Sequence, residues 1–276
     1  MTTDEKTTKL ESRLRGLGSL VVAYSGGVDS TFLLAIARDV LGDKVLAVTA
    51  VSPSFPASER ATAEQVAKEL GVQHVWVETD EMDDAQFRAN PPDRCYYCKI
   101  SLARKLRAVA ESHGIPHVAL GANADDPSDF RPGLRAAEEC GLLHPLLEAG
   151  LTKAEIRELS RRRGLRTWDL PAAACLASRI PYGEEITSEK LRRIEEAEAY
   201  LRSLGPRRVR VRCHGDVARV EVDPADIALL AAEETRRALA ARLKSLGFAY
   251  VTLDLEGYRM GSMNEVLGRG RADGVK

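Results

Sequence analysis

Short apolar runs alternate with longer amphipathic stretches through the first half of the chain. SLVVAYS (19–25), KVLAVTAVS (44–52), HVWVETD (74–80) and HVALGAN (117–123) are rich in valine and nearly continuous in apolar content. Strands of a parallel sheet covered on both faces read this way, because neither face is left for polar side chains. Between them, residues 28–40, 58–70 and 100–113 carry helical spacing and are long enough to cross back over a sheet. The pattern predicts an α/β fold: a doubly wound parallel sheet with ligand sites beyond the carboxyl ends of its strands. LRTWDLP (165–171) is expected as a fifth strand.

The pattern changes near Ile186. Leu191, Ile194, Ala197, Leu201 and Leu204 mark one face of an amphipathic helix, which Gly205-Pro206 ends. RRVRVRC (207–213) and ARVEV (218–222) then alternate with a period of two about the turn HGDV, the mark of an antiparallel hairpin, and FAYVTLDL (248–255) reads as a further strand. Two domains follow from this: residues 1–186 as α/β, and residues 187–276 as a smaller α+β domain.

Composition narrows the function classes. Lys+Arg 40 against Asp+Glu 41 leaves a net charge of -1, so a strongly basic nucleic-acid binder is excluded and only a local basic face remains open. The first residues are charged and lack the apolar core of a signal peptide, and no later run approaches the ~18 apolar residues of a membrane span. A cytoplasmic, non-membrane protein is expected. In a reducing compartment, Cys95 and Cys98 of NPPDRCYYCKISL are a metal or redox pair rather than a structural disulfide.

AYSGGVDST (23–31) stands where a strand gives way to a helix. Gly26 and Gly27 let the backbone approach an anion, the first helical amides point at it, and the Ser25, Ser30 and Thr31 hydroxyls add donors. That suits a pyrophosphate. No Gly-Lys-Ser/Thr closes the loop, so it departs from the P-loop of nucleoside triphosphatases. Asp29 is a candidate ligand for Mg²⁺ bridging phosphates, or a carboxylate that merely favours the helix dipole.

A third cysteine, Cys175 in DLPAAACLASRIPYG, belongs at the same end of the sheet if the fifth strand precedes it. Four readings of the thiols stay open. A redox dithiol needs no third thiol; a zinc site asks for a fourth ligand from Cys140, Cys213 or a histidine; a bland pair does nothing; and an iron-sulfur cluster on three thiolates keeps one iron open to a reactive ligand. Cys140 and Cys213 read as small core residues. In the hairpin, the period of two sets Arg208, Arg210 and Arg212 on one face. This is either a solvated face neutralised in part by Glu221 or a phosphate cradle.

Ser25 to Ser30, S-G-G-V-D-S, resembles the pyrophosphate loop of the N-type ATP pyrophosphatases, of the adenine nucleotide alpha hydrolase-like fold. GANADD (121–126), with Asn123 and Asp125, and Lys153 in LTKAEIREL match that superfamily's other nucleotide-proximal segments. RPGLRAAEE (131–139), NPPDRCYYCK (90–99) and CLASRIPYGEEIT (175–187) together resemble the LarE family, ATP-dependent sulfur transferases that serve the nickel-pincer nucleotide cofactor. The resemblance implies ATP and Mg²⁺ as cofactors and pyridinium-3,5-biscarboxylic acid mononucleotide as substrate. It also implies a 4Fe-4S cluster on Cys95, Cys98 and Cys175 as the sulfur carrier, or else a Cys175 that gives up its own sulfur. Arg210, Arg212, Ser178, Arg179 and Glu221 would meet the substrate phosphate. The C-terminal domain would bind substrate and build a homo-oligomer, six chains in that family. The rivals are an iron-sulfur tRNA thiolase, which needs an RNA-binding surface, an amidating ligase, which needs no thiols, and a nucleotide sensor without chemistry.

Overall fold

The computed structural model describes residues 1–126, 132–171, 174–259 and 262–264. Arg131, at the head of RPGLRAAEE, and Ala172 and Ala173, ahead of Cys175, lie outside the described residues. The chain divides into two compact units, Met1–Ala173 and Ala174–Lys276. That border counts Cys175 and the residues up to Ile186 with the second unit, ahead of the change in pattern near Ile186.

In the first unit, β1 (Leu20–Ala23), β2 (Val45–Val51), β3 (Gln73–Glu78) and β4 (Val118–Ala119) form a wholly parallel sheet in the order β3-β2-β1-β4. Helices α1 (Thr3–Leu17), α2 (Val28–Leu41), α3 (Ala57–Glu69), α4 (Ala85–Arg88), α5 (Arg94–Ser112), α6 (Pro132–Glu139), α7 (Pro145–Glu148) and α8 (Lys153–Arg162) surround it. The unbroken apolar strands have the expected cause. Leu20, Val22, Val45 and Ala47 enter one core with α1, α2, α3 and α8, whereas Val21, Leu46 and Val48 enter a second core with α5 and α6. Alternation along β1, β2 and β4 therefore feeds two buried faces, whereas edge strand β3 packs only Val75 and Val77 inward.

The expected fifth strand does not form. Residues 165–171 are a run of turns, in which the Trp168 amide bonds the Leu165 carbonyl and the Leu170 amide bonds the Thr167 carbonyl. Arg157 of α8 binds the Trp168 and Leu170 carbonyls at 2.6 and 2.7 Å, so local partners and one guanidinium satisfy the backbone that a ladder would have used. The sheet edge beside β4 is instead met by a single parallel bridge, Ala119 to Leu143.

The second unit holds α9 (Ser188–Ser203), β5 (Val209–His214), β6 (Val217–Val222), α10 (Ile227–Ala231), α11 (Glu233–Ser245) and β7 (Tyr250–Leu253). β5 and β6 form the expected antiparallel hairpin, and β7 adds to β6 in parallel. Gly215, in the two-residue turn, has φ +55°, a conformation that suits glycine in tight hairpins. Leu191, Ile194, Ala197 and Leu201 are fully buried, as their spacing requires. Among the described residues, no helix is long and apolar enough to cross a membrane.

Candidate functional site

Strand order reverses between β1 and β4, and Val22 lies level with Ala119 across that seam. The loops leaving the carboxyl ends of these two strands are therefore neighbours, the arrangement in which open α/β sheets take ligands. The first loop carries Ser25, Gly26 and Gly27 into α2. Gly27 caps α2 without any side-chain bond, so no side chain occupies the first helical amides. The loop is braced from within: Ser25 Oγ and Ser30 Oγ stand 3.1 Å apart, the Gly27 amide bonds Ser25 Oγ, and the Thr31 amide bonds the Gly27 carbonyl. Gly26 adopts φ +76°, and a Cβ there would meet Ala63 Cβ of α3 at 2.9 Å. Both conformation and space require glycine at this position.

The second loop presses against the first. A Cβ on Gly121 would lie 2.9 Å from the Ser30 amide nitrogen, so the absence of a side chain brings β4's exit onto the head of α2. Beyond it, Asn123 is buried and accepts from the Asp125 amide, and Asp125 Oδ2 accepts from the Lys153 amide at 2.8 Å. Lys153 Nζ reaches back 2.5 Å to Asp29 Oδ2. Asp29, Asn123, Asp125 and Lys153 thus gather about the glycine loop. Asp29 Oδ1 is buried and has no hydrogen-bond partner among the described residues. Burial pushes the Asp29 carboxyl up, and the Lys153 ammonium offsets part of that rise. An unsatisfied oxygen on a carboxylate beside a phosphate-type loop fits the chemistry of a hard divalent cation such as Mg²⁺.

Cys95 and Cys98 lie inside α5 and not in a loop before it, since the helix starts at Arg94, directly after Pro91-Pro92-Asp93. One turn apart, they share a helix face. Cys95 is exposed and Cys98 half-buried. Ser101 and Arg104, further along α5, both hold Asp80 at 2.6 Å just past the end of β3. The first turn therefore projects beyond the carboxyl edge of the sheet. α6 covers this turn closely: a Cβ on Gly133 would lie 3.3 Å from the Cys95 carbonyl oxygen, and Tyr96 donates to Glu139 at 2.5 Å. No disulfide joins any cysteine of the chain. Within neither unit do three His, Cys, Asp or Glu side chains, among the described residues, gather as a metal-holding group. The thiols are soft ligands suited to iron-sulfur binding, two on one accessible turn of the first unit and one, Cys175, in the second.

Cys175 is exposed and opens the short turn Leu176–Arg179. Arg179, 3% exposed, donates through Nη1 to the Ala174 and Cys175 carbonyls at 2.7 and 3.1 Å and to Ser178 Oγ at 3.0 Å. Its other edge makes a two-point pair with Glu198 of α9 at 2.8 and 3.0 Å. Glu198 also accepts from the Val211 amide at 3.1 Å, tying the cysteine turn to the arginine strand. Arg212 grips Glu221 at 2.9 and 2.8 Å and donates to the Ser178 carbonyl. At Arg212 the arginine face is withdrawn from solvent, with Arg212 8% and Glu221 1% exposed, while Arg208 on the same face is exposed. Arg210 lies over the Tyr258 ring, and burial, together with the adjacent Arg179, lowers its pKa. Arg208 stays outside this cluster and pairs loosely with Asp223 at 3.6 Å. Cys213 is buried in the second unit, and Cys140 is half-buried against the first unit's core of α5, α6 and the sheet.

Two glutamates escaped the sequence reading. Glu198 carried a signal, since it falls on the apolar stripe of its helix, one turn after Ile194 and one before Leu201. Glu81, 2% exposed, accepts from Ser52 and from Ser54 Oγ (3.0 Å), joining the loop after β2 to the exit of β3. Nothing in its acidic neighbourhood marked it as buried.

The asparagine synthase family matches residues 8–94, the stretch that contains the glycine loop. The chain is 46% identical over 263 residues to an uncharacterized protein of Synechocystis sp., covering 94% of this chain and 98% of the relative. It is 40% identical, over 95% of each chain, to pyridinium-3,5-bisthiocarboxylic acid mononucleotide synthase of Lactiplantibacillus plantarum. Argininosuccinate synthase of Haloarcula marismortui is 32% identical over 54% of this chain and 38% of its own.

Proposed function

Because the chain belongs to the LarE family of ATP-dependent sulfur transferases, we propose that it adenylates pyridinium-3,5-biscarboxylic acid mononucleotide and converts its carboxylates to thiocarboxylates. ATP lies on the Ser25–Ser30 loop, with Asn123, Asp125 and Lys153 around it and Asp29 as the Mg²⁺ ligand. A substrate carboxylate oxygen attacks the α-phosphorus, pyrophosphate leaves, and an acyl-adenylate results. A sulfur nucleophile then adds to the acyl carbon and AMP departs with the bonding pair. The thiocarboxylate forms once per carboxylate.

Cys175 is the residue on which sulfur delivery turns. A 4Fe-4S cluster held by Cys95, Cys98 and Cys175 would supply sulfide at an iron without a protein ligand. Arg210, half-buried beside Arg179 and Arg212, would take the substrate phosphate with Ser178. Arg179, Arg212 and Glu221 would hold that cradle in shape. The observation that carries the reading is that an almost wholly buried ion pair, Arg179–Glu198, grips the backbone of one exposed cysteine. Burial of two charges is costly and gives little net stability, so such a pair points to the placement of Cys175. We place the enzyme in the cytoplasm, where its thiols stay reduced, and as a homo-oligomer.

The test is a turnover assay with Mg·ATP and the pyridinium mononucleotide. AMP and pyrophosphate should appear only when the mononucleotide is present. Release of ADP, or turnover that depends on tRNA and falls steeply with salt, would overturn the reading in favour of another substrate class.

A further inference from the structure

We propose that Lys153 and the divalent cation compete for Asp29, and that the nucleotide's phosphates resolve the competition by drawing the ammonium away, so that metal is taken up with ATP and not ahead of it. This rests on the reading of Asp29 as the magnesium ligand. Lys153 Nζ and Asp29 Oδ2 are 2.5 Å apart, with both side chains largely shielded at 30% and 22% exposure. Oδ1 of the same carboxylate is buried and unpartnered among the described residues, and it is the atom left for a cation.

The lysine is held at this post by its helix. Its amide bonds Asp125 Oδ2, and the preceding Thr152 forms a capping box with Glu155, which in turn binds Lys6 of α1 at 2.8 Å. The first turn of α8 is thereby fixed, whereas the four-carbon side chain can swing. An ammonium on a carboxylate neutralises it and repels a second cation approaching the other oxygen. A polyphosphate carries more negative charge than one carboxylate, so its arrival offers Lys153 a stronger partner and returns the full charge of Asp29 to the metal.

The distinguishing consequence is that loss of the ammonium has opposite effects on two ligands. Mn²⁺ binding to the full chain, followed by electron paramagnetic resonance with and without ATP, compares the native protein with Lys153→Met. The variant should bind Mn²⁺ alone about tenfold tighter and Mn·ATP weaker by a similar factor. Lys153→Arg, which keeps the charge, should behave like the native protein towards Mn²⁺ alone. If the methionine variant is poorly folded, Lys153→Gln should show the same tightening. Unchanged or weaker Mn²⁺ binding in a folded, uncharged variant overturns the proposal, as does a gain that persists when Asp29→Asn is added. Should the native protein bind no Mn·ATP at all, the magnesium reading of Asp29 falls and the competition with it. Normal Mn·ATP binding without the gain refutes the competition alone.

Discussion

Glu198 lies on the apolar stripe of α9, between Ile194 and Leu201, and its carboxylate receives two nitrogens of Arg179 and the Val211 amide. Removing it would leave a buried guanidinium unpaired, so Glu198→Ala should destabilise the second unit by about 3–5 kcal/mol, read from urea denaturation. A loss below ~1 kcal/mol would mean that water reaches Arg179 and that the grip on Cys175 is loose. Gly121 offers a second residue-scale test. The backbone of Ser30 stands where its Cβ would be, and a head-on contact with main chain cannot be relieved by a rotamer change. Gly121→Ala should push the two nucleotide loops apart and raise the KM for ATP by about tenfold or more, an effect of the ~1–3 kcal/mol that overpacking costs. An unchanged KM would contradict the close approach of the loops.

At the scale of elements, α8 is fixed to α1 by one carboxylate. Glu155 caps α8 through Thr152 and takes Lys6 Nζ with both oxygens at 2.8 Å. Desolvation works to raise its pKa, but the bonds from Lys6, Thr152 and Thr3 outweigh it and bring the value to about 2. A carboxyl whose pKa is lower folded than unfolded contributes stability above its ordinary value, here 4.5. That contribution should fade as pH falls from 4.5 towards about 2. Glu155→Gln should be less stable than the native protein at neutral pH by about 1 kcal/mol, with the gap closing in acid. Thermal melts across that range check it, and a gap independent of pH would contradict the assignment.

The same scale explains what the sequence made legible. β1, β2 and β4 stood out because each feeds two cores, so Val21 and Val22 are apolar for separate reasons, while β3 packs Val75 and Val77 on one core only. The segment LRTWDLP has strand-like composition, yet Arg157 and local turn bonds satisfy its carbonyls, and nothing in the segment itself reveals a guanidinium supplied by α8. The early start of α5 was legible in principle, since Pro-Pro-Asp is a helix-opening signal, but Cys and Tyr at the following positions have weak helix preference. The arginine strand was found by its period of two, while the division of labour within it was not. Within the strand Arg212 takes Glu221 from across the hairpin, whereas Glu198, from the preceding helix, goes to Arg179 outside it.

Across the whole molecule, the chemistry is divided between two units. The first carries the nucleotide loops and the Cys95–Cys98 turn, and the second carries Cys175 with its arginines. The motifs could be named from sequence because glycine loops and closely spaced thiols act through local geometry, whereas the partners of Cys175 are contributed by separate elements. If three thiols share one cluster, anaerobically prepared native protein should contain iron and acid-labile sulfide. Cys95→Ser with Cys98→Ser should lose both while still binding ATP. Retention of iron in that double variant would contradict the shared-ligand reading.

The account's central claim is that sulfur reaches the substrate through Cys175. It is tested most directly by a single turnover of native protein and Cys175→Ala with Mg·ATP and pyridinium-3,5-biscarboxylic acid mononucleotide, the nucleotide product being weighed by mass spectrometry. The native protein should replace a carboxylate oxygen with sulfur, whereas the alanine variant should release pyrophosphate without forming thiocarboxylate. Equal thiocarboxylate from both proteins would contradict it.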